Sequence, residues 1–438
     1  MLSFSVASAI RTIADRYKSL FKDSPTSYRS LCALLSLSLY NCKGLSELAR
    51  FAPWSPSVSE LSRAVDGWNA NRFMRRLRAS VLRRWRERLN TADFCYAVDD
   101  TANPKFGKGI YARAPWHSSG GAYVGQKILV IALIERRSGV AIPIHYAFGI
   151  KKTEANYRSM PDLAIECLAE CLACGFPPLP VTCDSWFDSS DFMKDLEKIG
   201  LSYDGEIKST RNLRVTPGLR AKIQKLATFF QAQPRQAVLA KPYGQRRSIR
   251  KKRGPKKKKY IAETVAMING ITHPMKVIAV YNHRNDKEAF AYYVSTNRTM
   301  SGAELWALAR SRWAIEVLFR DMKQNLAFGH LPCTGKEAAD LAVCVPFALI
   351  VSLRLDKPVI WGLSEGDEDS IGTKLAKIKQ AGLDKAINVL IFNPRHAIVE
   401  RLRARRQTSR LNRKPVNKPA ASQTSLETQA TPELRTAA

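Results

Sequence analysis

The spacing of apolar and polar positions changes several times along the chain, and each change predicts a change of element. From about residue 27 to 90 apolar residues recur every three or four positions, the helical period. SYRSLCALLSLSLYN reads as a buried helix and GLSELARF as a second. After a turn at Ala52 to Pro56 comes SVSELSRAVDGW, where Ser57 and Glu60 have capping-box spacing. Two short helices across a tight turn fit a helix-turn-helix unit as well as a small helical bundle. The next predicted helix, Asn71 to Leu89, carries Arg72, Arg75, Arg76, Arg78, Arg83, Arg84, Arg86 and Arg88, a face that suits either solvent or a DNA backbone.

At Phe94 the texture becomes that of strands. FCYAVDD is a short apolar run ending in two aspartates, followed by the Pro/Gly loop TANPKFGKG, then AYVGQKILVIALIE and VAIPIHYAFGI in hairpin order. Ala155 to Cys174 is predicted helical, PLPVTCD a strand ending in Asp184, SSDFMKDLEKIG a helix and LSYDGEI a strand. The order is β-β-β-α-β-α-β, with Asp100 ending the first strand and Asp184 the fourth. An RNase H-like α/β sheet needs that order, because adjacent central strands bring two carboxylates together. From about 213 to 288 the scheme is interrupted by the charge run RRSIRKKRGPKKKK, Arg246 to Lys259, and the strand-like YIAETVAMI, MKVIAVYN and FAYYVSTN.

The longest helical pattern follows, Ser301 to Phe328, opened by a second capping box, Ser301 and Glu304. Arg312, Glu316, Arg320 and Lys323 fall within a sector of roughly 80° at 3.6 residues per turn. Leu308, Ile315, Phe319, Met322 and Leu326 make a packing stripe beside them. Taken alone this is an ordinary amphipathic helix with i,i+4 ion pairs. Beyond it Glu337 to Leu353, Ile371 to Ala381 and Leu383 to Leu390 read as helices, and the Ser/Thr/Pro/Ala-rich chain from Gln407 as disordered. The expected organisation is helical and DNA-binding over 1–90, catalytic core over 91–212 and 289–340, inserted basic β-rich subdomain over 213–288, helical over 341–406 and a tail over 407–438.

Charge turns these patterns toward a substrate. With 438 residues, 70 Lys+Arg, 38 Asp+Glu and a formal charge of +32, the chain is large enough to bury sizeable cores and should attract a polyanion, nucleic acid first. The apolar run Leu341 to Leu353 is short for a bilayer and contains Pro346, so a membrane is not the expected partner. The N-terminus lacks the charged n-region and cleavage site of a secretory signal, and nine scattered cysteines suit a reducing compartment, so a cytoplasmic location is expected. Cys167, Cys171 and Cys174 have cluster-like spacing, but i, i+4, i+7 is one face of an apolar helix. The six histidines show no zinc spacing. Asp100, Asp184 and Glu316 would make an all-oxygen site suited to Mg2+ or Mn2+, two ions of which could serve an in-line phosphodiester displacement.

RWAIEVLFRDMK resembles the signature of bacterial insertion-sequence transposases of the DDE, RNase H-like group: Tyr, two residues, Arg, three residues, Glu, six residues, Lys. Arg312, Glu316 and Lys323 match it, while Ala309 stands at the tyrosine position. VDDT, residues 98 to 101, is similar to the group's first-aspartate motif and assigns Asp100; CDSWFD, residues 183 to 188, is similar to the second and assigns Asp184, with Asp188 an outside choice. The resemblance implies a DNA transposase that cleaves transposon ends and transfers 3'-hydroxyl ends into target DNA, with two Mg2+ or Mn2+ ions on those three carboxylates. It implies a homodimer on paired double-stranded DNA ends, associated with a bacterial nucleoid. It also implies phosphate contacts by Arg312, Arg320 and Lys323, and an aromatic of the insertion, Tyr292 or Tyr293, holding a flipped base. Arg250, Lys251, Lys252, Arg253, Lys256, Lys257 and Lys258 of the basic run would add contacts to the DNA backbone. Two other readings remain open: a catalytically inactive transposase-derived DNA-binding protein, and another RNase H-like nuclease such as a junction resolvase.

Overall fold

The computed structural model describes residues 6–21, 25–40, 57–107, 109–118, 121–214, 223–239, 258–330, 334–364 and 370–392. Most of the basic run, the expected helix GLSELARF and the tail lie outside these residues. Helices α1 (Val6–Asp15), α2 (Pro25–Tyr40), α3 (Val58–Asp66) and α4 (Ala70–Trp85) come first. The box expected at α3 is formed: Ser57 accepts from the Glu60 amide, and Glu60 accepts from the Ser57 amide.

Three of the six arginines of α4 make internal contacts. Arg78 is buried and pairs with Glu170 at 2.6 Å, Arg84 pairs with Asp356 at 2.6 Å, and Arg76 donates to the Arg16 carbonyl at 3.0 Å. The face read as suited to solvent or DNA therefore also holds the helical region to the core.

The first sheet uses β1 (Phe94–Pro104), β2 (Ala114–Ser118), β3 (Gly121–Glu135), β4 (Val140–Phe148) and β5 (Val181–Cys183). β1 lies between β3, antiparallel, and β5, parallel, and β4 flanks β3. β3 is continuously buried from Gln126 to Ile134, as its apolar run requires of a central strand. The connection from β4 to β5 is α5 (Met160–Ala173), which begins five residues later than expected because Ser159 and Asp162 form a capping box there. Cys167 and Cys171 lie buried on it, as the helix-face reading of that spacing anticipated. β1 runs four residues beyond Asp100, because β3 is long enough to pair with it as far as Pro104.

After α6 (Ser190–Lys198), β6 (Asp204–Ile207) opens a second sheet that takes in β7 (Asn212–Arg214), β8 (Ile223–Lys225), β9 (Gln236–Leu239), β10 (Lys258–Ile268), β11 (Met275–Tyr281) and β12 (Ala291–Ser295), with α7 (Leu226–Gln231) between β8 and β9. The strands that enter and leave this stretch, β6 and β12, pair with each other, and Tyr203 bridges in parallel to Val181 of the first sheet. The second sheet therefore continues the edge that carries Asp184.

The sequence predicts one helix from Ser301 to Phe328. The structure divides it into α8 (Gly302–Ser311) and α9 (Trp313–Asn325), joined at Arg312, which keeps helical dihedrals. Ser311 turns its hydroxyl back onto the Leu308 carbonyl and the Arg312 amide bonds three residues back, the tightening that interrupts a regular ladder. The stripe Leu308, Ile315, Phe319, Met322 and Leu326 is buried throughout. α10 (Lys336–Leu355) is longer than the run read from the sequence and long and apolar enough to cross a membrane. It lies inside the protein, against α2, α4 and β4, as an interior helix with apolar residues all round. The last described helix is α11 (Ile371–Phe392), and the mixed sheet flanked by helices is the RNase H-like arrangement expected from the sequence.

Candidate active site

Parallel pairing sets Val98 opposite Cys183, so Asp99 and Asp184 follow at neighbouring strand positions, and α9 carries Glu316 across them. Alternation along β1 sends Asp99 and Asp100 to opposite sides. Asp99 receives Arg312 at 2.8 Å, and the same Nη1 donates to Glu316 at 3.2 Å. Asp100 pairs with Lys127 of β3 at 3.3 Å. That lysine also lies 4.2 Å over the ring of Trp186, two residues past Asp184. Asp184 caps the short turn Ser185–Phe187, accepting from the Trp186 amide at 3.0 Å.

The four carboxylates share one electrostatic neighbourhood. Burial raises the pKa of Asp99 well above the usual aspartate value; Arg312 opposes this, while Glu316, Asp184 and Asp100 add to it. Burial also raises Asp100, opposed by Lys127 and reinforced by Asp184 and Glu316. Burial acts to lower the pKa of Arg312, yet Asp99, Asp184 and Glu316 outweigh it, so the guanidinium is held charged. Lys323 donates to the Ala102 carbonyl at 2.6 Å; burial lowers its pKa, against the fields of Glu316 and Asp100. Arg312 thus joins Asp99 to Glu316, Asp100 meets Lys127, Asp184 caps its own turn and Lys323 is held on the Ala102 carbonyl, whereas Arg320 is exposed on α9.

Four features of the site escape sequence reasoning. Asp99 loses to its neighbour there, although the doublet itself is the signal. Lys127 is a buried lysine in an apolar strand, and that incongruity could have marked it. Glu206 of β6 lines a cavity of about 370 Å3 with Ala309, Arg312, Trp313 and Tyr293, and burial raises its pKa against the pull of Arg312. Its signal in DGEI is weak. The fourth, Trp186, stands half-exposed beside the cluster. Asp188, the outside choice for the second aspartate, serves the fold: it accepts from the Lys208 amide at 2.9 Å and pairs with Arg211 at 3.3 Å, at the entrance to the second sheet. Tyr292 is buried in that sheet near Phe230, and Tyr293 reaches the cavity. Lys258 is an exposed residue of β10; Arg250, Lys251, Lys252, Arg253, Lys256 and Lys257 lie outside the described residues.

A family model described as the transposase DDE domain matches residues 95–350, more than half of the chain and the span that carries every carboxylate of this cluster. The chain belongs to the transposase DDE family. No curated protein matches it. Among solved structures it is similar to a piggyBac transposase in a synaptic complex with hairpin DNA, at 11% identity and a TM-score of 0.44, covering 91% of this chain and 78% of that one. For a DDE-family protein the donor chemistry fits a hard divalent cation: the acidic side chains offer only oxygen, and burial beside other carboxylates leaves Asp99 and Asp100 hard to ionise without added positive charge. Among the described residues no three His, Cys, Asp or Glu side chains stand close enough to share one ion; Asp100 is paired with Lys127 and Asp99 with Arg312.

Proposed function

We propose that this DDE-family protein is a DNA transposase that cleaves the ends of a mobile element and joins the 3'-hydroxyl ends to target DNA. The observation that carries the reading is the convergence of carboxylates from β1, the end of β5 and α9 on one site with Arg312 and Lys323, inside a matched transposase domain. Asp100, Asp184 and Glu316 would hold Mg2+ or Mn2+. Two such ions, when bound, lower the pKa of a water or 3'-hydroxyl and stabilise the attacking and leaving oxygens.

The side chains of the chain itself supply orientation and charge. Arg312 has a planar fork suited to a phosphate and is already braced by Asp99, so it can meet a backbone oxygen without first being ordered. Lys323, tied to the Ala102 carbonyl, sets a second positive charge about three helical turns further along α9. Arg320 and the basic run at 246–259 would add sequence-independent contacts. The protein acts as a homodimer on paired ends, at the bacterial nucleoid.

The discriminating experiment is cleavage of labelled duplexes taken from the DNA flanking the gene, with Mg2+ and with chelator. Specific nicking at both ends, followed by joining, is the expected result. Binding without nicking would favour an inactive DNA-binding derivative, and cutting of branched DNA without joining would favour a resolvase.

A further inference from the structure

Arg78 of α4 is 1% exposed, and its guanidinium is only partly used. Nη2 donates to Glu170 of α5 at 2.6 Å, while Nε and Nη1 have no hydrogen-bond partner among the described residues. Three of the five N–H groups of the guanidinium are therefore left over. A buried charge with unused donors is costly to a fold unless something accepts from it. Arg78 lines a cavity of about 190 Å3, together with Tyr111, His145, Glu170, Lys336 and Asp340. A single water needs only about 10–15 Å3 of such space, so the cavity has room for a larger guest.

The other charged groups around the cavity already have partners. Glu170 accepts from Arg78 Nη2 and from His145 Nε2, both at 2.6 Å. The hydrogen bond from His145 holds the Glu170 pKa down to about 2, so this side chain stays a carboxylate. Asp340 accepts from the Tyr146 hydroxyl at 2.7 Å and from Lys336 at 3.3 Å. Each acid is thus matched by a cation and holds two donors. What remains unused is the donor capacity of Arg78, so a guest must bring acceptors. A guanidinium is suited above all to the oxygens of a phosphate or carboxylate.

We infer that this cavity binds one small free oxyanion, of the size and chemistry of inorganic phosphate, on Nε and Nη1 of Arg78. Depth sets this source apart from a DNA backbone: a guanidinium so fully buried lies beneath the surface that a double helix can touch. The cavity shares no residue with the carboxylate cluster, so the site does not depend on the cutting reaction. It lies where α4 of the helical region meets β4, α5 and α10, and a bound anion there fastens the helical region to the core.

The test is equilibrium dialysis of the full chain against radiolabelled inorganic phosphate at fixed, high chloride, with melting temperature followed in parallel. The natural protein is expected to take up phosphate saturably, about one per chain, and to melt at a higher temperature with it than in chloride alone. Arg78→Lys keeps a charge for Glu170 but removes most of the unused donors, and is expected to bind roughly tenfold more weakly. Asn71 is exposed at the rim of the cavity, so Asn71→Glu leaves the core intact and adds a repelling charge. It is expected to weaken phosphate by about threefold even if Arg78→Lys fails to fold. Deleting residues 246–259 is expected to leave the uptake unchanged. Three results overturn the site: no saturable uptake by the natural protein, uptake that ignores Asn71→Glu, or uptake lost with the basic run, which would make the phosphate an adventitious ion only. Displacement of the phosphate by a saturating DNA duplex would also overturn it, by assigning these donors to the DNA backbone.

Discussion

Asp99 and Asp100 are adjacent, yet their side chains have different partners, and this is where chemistry at the residue scale is decided. Asp99 is bound to Arg312 and Asp100 is paired with Lys127, so under the proposed function Asp99 would position the guanidinium and Asp100 would hold the cation. Asp100→Asn is therefore expected to abolish cleavage, whereas Asp99→Asn is expected to slow it about tenfold with end affinity within threefold, the scale of a lost charged hydrogen bond. Cleavage rates of the two variants check this, and the opposite order would exchange their roles. The raised pKa values also set a pH dependence. A carboxyl whose pKa is raised by folding contributes stability below its unfolded value and loses it as pH rises through the folded value. Cation binding needs the ionised form, so Mg2+ should stabilise the protein increasingly over that same window. Melting temperature with and without Mg2+, followed from acid to neutral pH, is expected to diverge; a constant difference would show that Asp100 is not a ligand.

At the scale of elements, the end of β1 is held by a close approach of backbones. A Cβ at Gly125 would lie 2.3 Å from the Asn103 carbonyl oxygen and 2.7 Å from the Pro104 Cα, so β1 would have to move. Gly125→Ala is expected to destabilise by about 2–3 kcal/mol and to depress cleavage with it; chemical denaturation measures the first, and an unchanged midpoint would show that β1 can yield. Much at this scale was legible in the sequence. Capping boxes at Ser57 and Ser301 marked two helix starts, apolar runs in hairpin order marked β3 and β4, and the Leu308 to Leu326 stripe marked the buried face of α8 and α9. The break at Arg312 was not legible, because it depends on a serine hydroxyl turning inward. Nor were the partners of Asp99 and Asp100, since a dipeptide does not show which side of the sheet will meet α9. The pairing of β6 with β12 was also hidden, because it joins residues far apart in sequence.

For the whole molecule, charge and packing divide the labour. The helical region is fastened by Asp356, which receives Arg16 and Arg84, and by Arg78 on Glu170, so several N-terminal arginines serve cohesion. Under the proposed function the net charge of +32 would meet DNA through other cations, the run at 246–259 among them. Deleting that run is expected to flatten the dependence of DNA affinity on salt; an unaltered slope of log affinity against log salt would show that it touches no phosphate. The central claim is that Glu316 completes a metal-dependent site for cutting and joining DNA. Its most direct test is excision and strand transfer, with Mg2+, from a plasmid carrying the gene's own flanking DNA, comparing the natural protein with Glu316→Gln. Joined products from the natural protein alone, with end binding kept by the variant, are the expected result; equal products from both would contradict it.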